Sequence, residues 1–144
     1  MYKKTIKTLS TLIKVEKGLI ADLQPTLQDL MSKLIEIDQK IENLTEIIEA
    51  EKNFLEKEST NVDFLLFLDR IEKEKIDLLK KRTIIFEEYE IIHSQVMEHI
   101  KTEKAYLSIQ DRKINEEKKI NQKKEENIIE DIIQMRFSLK DESS

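Results

Sequence analysis

Glu58-Ser59-Thr60-Asn61-Val62-Asp63-Phe64-Leu65-Leu66-Phe67-Leu68 divides the chain into two unlike halves. Ser, Thr and Asn are mediocre helix formers because their side chains compete for backbone hydrogen bonds. Thr60, followed three residues later by Asp63, has the form of a capping box just ahead of an apolar burst. The stretch reads as a turn between two helices.

Upstream of it the apolar residues fall into one register. With Ile6 as position a of a heptad, the a positions are Ile6, Ile13, Ile20, Leu27, Leu34, Ile41, Ile48 and Leu55. The d positions are Leu9, Glu16, Leu23, Leu30, Ile37, Leu44 and Glu51, apolar except for the two glutamates. A strict seven-residue repeat implies a left-handed supercoil against a partner helix. Gly18 and Pro25 both fall at f, facing away from this seam. An interior proline removes a backbone hydrogen bond and costs about 3 kcal/mol. Two readings stand: a kink at Pro25, or a fresh helix start with Asp22 as cap and Pro25 in its first turn. The surviving heptad phase speaks for the kink.

Downstream the pattern doubles. One stripe keeps the phase of the first helix: Val62, Leu65, Ile76, Leu79, Phe86, Met97, Ile100 and Leu107. A second also steps by three and four: Phe64, Leu68, Ile71, Leu78, Ile85, Tyr89, Ile92 and Val96. At about 100° per residue the stripes are centred roughly 110° apart, and one neighbouring helix covers about one of them. Either one stripe is left for a further partner, or both form a single wide seam with Leu66 and Phe67 plugging the turn end. Residues 111–127 are nearly all polar, with only Ile114 and Ile120 apolar. If the turn centres near residue 60, residue i sits opposite roughly residue 120 − i, which brings Ile6 near Ile114. Everything beyond about residue 118 would then overhang as a single helix. That overhang ends in Ile128, Ile129, Ile132, Ile133, Met135, Phe137 and Leu139. The expected fold is all-α: an antiparallel coiled-coil hairpin with a C-terminal helical overhang. It forms one domain over residues 1–144, with helix one at about 3–58, a turn at about 59–61 and helix two at about 62–139. Since Val62 and Leu65 continue the first register, one unbroken helix in a parallel homodimer, acting as a scaffold or tether, also fits the pattern.

Composition agrees with thin seams on long helices. Of 144 residues, 38% are charged and 39% hydrophobic, with one Gly and one Pro. There is no Cys, hence no disulfide frame and no thiolate metal site. A single Gly excludes a phosphate-cradling loop. His93 and His99 stand about 240° apart around a helix and cannot share a metal. Neither a catalytic residue nor a cofactor is expected. A net charge of −5 argues against nucleic acid. No apolar run approaches the roughly 18 residues of a membrane span, and no signal peptide is seen, so the cytoplasm is expected.

The opening of the second helix resembles the FliJ family, the small coiled-coil proteins of the flagellar type III export apparatus, whose virulence counterpart is the YscO group. The resemblance rests on Phe64, Phe67-Leu68, Ile71-Glu72 and Ile76, on the basic pair Arg112-Lys113, and on the closing segment Ile129-Glu130-Asp131-Ile132-Ile133. The tail departs from the family in having Glu130-Asp131 where Asp-Glu is usual, and bulky Ile133 where a small residue is common. The resemblance implies a non-enzymatic stalk, monomeric when free, coupling the export ATPase hexamer to the export gate protein FlhA and binding export chaperones. It implies gate contacts at Phe64, Phe67, Ile71, Glu74 and Leu78, and ATPase-ring contacts at Ile129, Ile132, Ile133 and Phe137. Ile71 and Leu78 lie on the second stripe, which would make that stripe the surplus one. Localisation would be peripheral, at the cytoplasmic face of the inner membrane in the flagellar basal body, without insertion.

Overall fold

The computed structural model describes residues 2–57 and 62–142. Helix α1 spans Tyr2–Lys57 and helix α2 spans Val62–Glu142. Among the described residues there is no strand. The expected turn at Glu58 to Asn61, with Thr60 of the capping box, lies outside the described residues. Helix α1 runs through Pro25 without interruption, which removes the reading of a fresh start at Asp22. Proline is tolerated there because it sits on the solvent side, where water can take the carbonyl it leaves unpaired. The chain is an all-α antiparallel helical hairpin, so the unbroken helix in a parallel dimer is overturned: α1 packs on α2 of its own chain.

The contacts divide into two units, Leu19–Glu98 on the one hand and Met1–Gly18 with His99–Ser144 on the other. In the first unit, α1 turns Ile20, Leu23, Leu27, Leu30, Leu34, Ile37, Ile41, Leu44 and Ile48 inward, all at a or d. The facing stripe of α2 is Phe64, Leu68, Ile71, Leu78, Ile85, Tyr89, Ile92 and Val96. Leu30, Ile37, Ile48, Leu68, Ile71 and Val96 are buried, and Ile48, Leu68 and Ile71 cluster with Leu44 against them. Fully burying each such side chain stabilises by about 1.5–3 kcal/mol.

This settles which stripe meets α1, and it corrects the assignment of Ile71 and Leu78 to a surplus face. The physical reason lies in what interrupts each stripe. The outward one is broken by Asp69, Glu72 and Glu90, short carboxylates that are costly to bury. The inward one is broken by Lys75 and Arg82, whose aliphatic stems can lie along an apolar seam while the charge reaches out. Arg82 does so in a two-pronged pair with Asp38, Nε donating to Oδ1 and Nη2 to Oδ2 at 3.4 Å. The hydrogen bond to Asp38, and then its charge, raise the Arg82 guanidinium above its ordinary value. Lys52 pairs with Glu72 at 3.3 Å in the same unit.

The second unit is built differently. On α1, Leu9 and Ile13 are buried and Ile6 is half-buried, all still in heptad phase. The half-buried side chains of α2 in this unit mix the apolar Ile100, Tyr106 and Ile114 with polar ones such as His99, Gln110 and Lys113. Glu16, the charged exception at a d position, lies 2.6 Å from His99 Nδ1, whose N–H donates to the carboxylate. Gln110 Nε2 donates to Ser10 Oγ at 2.7 Å and to the Ile6 carbonyl at 3.3 Å. The Lys113 ammonium stands 5.7 Å from the centre of the Tyr2 ring. Ile6 therefore meets Gln110, one helical turn short of the expected Ile114. From residue 118 to residue 140, α2 is helical and exposed throughout.

Candidate docking surfaces

With a hairpin this thin, the functional question is which apolar side chains the seam leaves uncovered. At the start of α2 the three- and four-residue spacing sets the expected gate residues on one face, and the seam covers them to different depths. Phe64 is half-buried, its ring 5.7 Å from that of Phe54 on α1. Ile71 is buried and Leu78 half-buried, both in the seam. Phe67 and Glu74 face solvent. Phe67 lines a shallow groove with Asp63, Leu66 and Arg70, and the Arg70 guanidinium stands 5.5 Å from its ring centre. Leu66 is 62% exposed. The five residues lie within about 80° of one another around α2: Phe64, Ile71 and Leu78 are covered by the seam, and Phe67 and Glu74 sit at its exposed edge.

The expected ring contacts are brought together. Ile129, Ile132, Ile133 and Phe137 are all exposed on the overhang, beside Ile128, Met135 and Leu139. Over residues 118–140 the helix is roughly 35 Å long at 1.5 Å per residue. Ile128, Ile132, Met135 and Leu139, spaced four, three and four, make a narrow stripe of the kind that seats in a partner's groove. Ile129, Ile133 and Phe137, each four apart, form a second line next to it.

Two further features are the direction of one α2 stripe, which periodicity leaves open, and a polar contact that it does not reveal. The outward stripe of α2 in the unit Leu19–Glu98 is Val62, Leu65, Ile76, Leu79, Phe86 and Met97, all exposed; the carboxylates that interrupt it were the available signal. The His99–Glu16 pair joins the polar d position Glu16 to a histidine of α2. His93 instead stacks on Tyr89, ring centres 5.5 Å apart. Among the described residues no cluster of acids and histidines could hold a metal ion, and no helix is long and apolar enough to cross a membrane. No protein-family model matches the chain, and no curated protein or solved structure shows significant similarity to it.

Proposed function

We propose that this chain is a FliJ-like component of a flagellar type III protein export apparatus, or of its virulence counterpart. It is a non-enzymatic stalk that couples the export ATPase ring to the gate protein FlhA and binds export chaperones. The observation that carries the reading is the overhang: a helix of residues 118–140, exposed throughout, that ends in seven large apolar side chains. A solvated spacer needs no such end, and an isolated helix of this length is marginal in water until something packs on it. By the resemblance, the packing partner is the inner surface of the ATPase ring, contacted by Ile129, Ile132, Ile133 and Phe137. The gate contact in the closed hairpin narrows to Phe67 and Glu74, with Leu66 and Arg70 beside them. Phe64, Ile71 and Leu78 act by holding the start of α2 in place. The protein works at the cytoplasmic face of the inner membrane, held there by protein contacts.

The test is co-purification of the chain with the export ATPase of its own cell, repeated after deletion of residues 126–144. The full chain should retain the ATPase and the truncated one should lose it, with the melting temperature of the paired region unchanged. Normal ATPase binding by the truncated chain would overturn the docking role. Loss of the melting transition would show the tail to be core.

A further inference from the structure

We propose that the outward stripe of α2 in the unit Leu19–Glu98 is a self-association surface. It takes a second copy of this chain, running antiparallel about a twofold axis near residue 81. The proposal is independent of the export reading.

Three observations carry it. The first is exposure. Leu65, Ile76, Leu79, Phe86 and Met97 are between 38% and 50% exposed, although the seam with α1 is closed beside them. The second is spacing. Residues 65, 69, 72, 76, 79, 83, 86, 90, 93 and 97 step by four and three without a slip, which is the geometry of a second coiled-coil seam on one helix.

The third is that the stripe reads nearly the same in both directions. From either end it runs one apolar residue, two polar and one apolar, with Leu79 and Thr83 at the centre. Superposed antiparallel on itself, Leu65 falls opposite Met97 of the second copy, and Ile76 opposite Phe86. The polar residues fall on polar ones, Asp69 opposite His93 and Glu72 opposite Glu90, while Leu79 meets Thr83. An isologous interface requires this reciprocity, since each contact between i and j is made twice. A groove for an unrelated helix does not require it.

Charge is compatible with the arrangement. Asp69 is paired with Lys73 at 3.1 Å and Glu72 with Lys52 at 3.3 Å, so two of the three acids in the polar layers carry their own counter-ions, and Lys52 stands beside the layer in which Glu72 comes opposite Glu90 of the second copy. Lys52 also lines the groove formed with Ile48, Ile76 and Leu79. Lys73, flanking the stripe, comes opposite Glu87 of the second copy. The polar layers fix the register and keep the association weak, so the monomer expected from the sequence is the dilute form.

Sedimentation equilibrium of the full chain, from about 1 µM to about 1 mM, should show the mass rising from monomer toward dimer. Ile76→Lys, at a half-exposed position, should weaken the dimer by roughly tenfold or more with helicity and melting unchanged. Ile91→Lys, more exposed on α2 and off the stripe, should leave it intact. Because the chain has no Cys, a mixture of Ile76→Cys and Phe86→Cys should cross-link on oxidation, while neither variant cross-links alone. A monomer at every concentration, a dimer indifferent to Ile76→Lys, or self-cross-linking of Ile76→Cys would each overturn the proposal.

Discussion

The unit Leu19–Glu98 and the unit that holds both termini use the same heptad register on α1 and a different chemistry on α2, apolar in the first and mixed with polar contacts in the second. In the first, Ile48 meets Leu68 and Ile71, and Val96 is the most buried of the core residues. In the second, Glu16 meets His99 and Ser10 meets Gln110. One is an apolar core cut thin; the other is a register held by directed polar contacts that continues into an unpaired helix. The difference teaches that a regular repeat on one strand of a hairpin does not imply uniform stability along it. Stability follows what both helices bury together, and the hydrogen bonds of the second unit contribute only about 0.5–1.5 kcal/mol each.

The largest expected effect breaks the first unit. Ile71→Ala and Leu30→Ala should each cost about 2–4 kcal/mol in urea unfolding, because each leaves a cavity in a seam that cannot easily collapse. Ile76→Ala, five residues along α2 and half exposed, should cost less than about 1 kcal/mol. Equal losses at Ile71 and Ile76 would mean that both stripes are core.

A smaller effect sharpens the comparison in the second unit. Replacing both Glu16 and His99 by Leu restores an apolar layer and should stabilise by about 1 kcal/mol or more, while Glu16→Leu alone should destabilise by leaving His99 without its partner. Thermal melts of the two single variants and the double variant measure the coupling. Destabilisation by the double substitution would show the pair to be a net source of stability. The smallest effect concerns Gly18. A Cβ added there meets nothing within 4 Å. Gly18→Ala should therefore stabilise by about 0.5–1 kcal/mol through the lower helix propensity of glycine, read as a raised melting temperature.

Much of this was legible in the residues. From Ile6 to Glu51, the side chains of α1 that the fold covers are those at a and d, joined only by Ser10 and Thr45. The exposure of residues 118–140 followed from the length of α1 alone. Periodicity leaves the choice between the two stripes of α2 open and the resemblance points to the wrong one, although Asp69, Glu72 and Glu90 carry it: periodicity gives an angle around the helix, and only the cost of burying particular groups says which angle faces inward. The Glu16–His99 contact was harder. It depends on the axial alignment of residues far apart in sequence, and a repeat of seven leaves that alignment free to slip by a turn. Directions within the start of α2 were equally out of reach from the family resemblance. It grouped Phe67 with Ile71, which lie about 40° apart around the helix, one at the exposed edge of the seam and the other within it.

The most direct test of the account is site-resolved amide hydrogen exchange on the free protein. Amides of residues 118–140 should exchange orders of magnitude faster than those of residues 23–44, where both helices bury apolar side chains, with the paired part of the second unit in between. Protection in residues 118–140 equal to that in residues 23–44 would contradict it, because the overhang would then be folded against something the hairpin already contains.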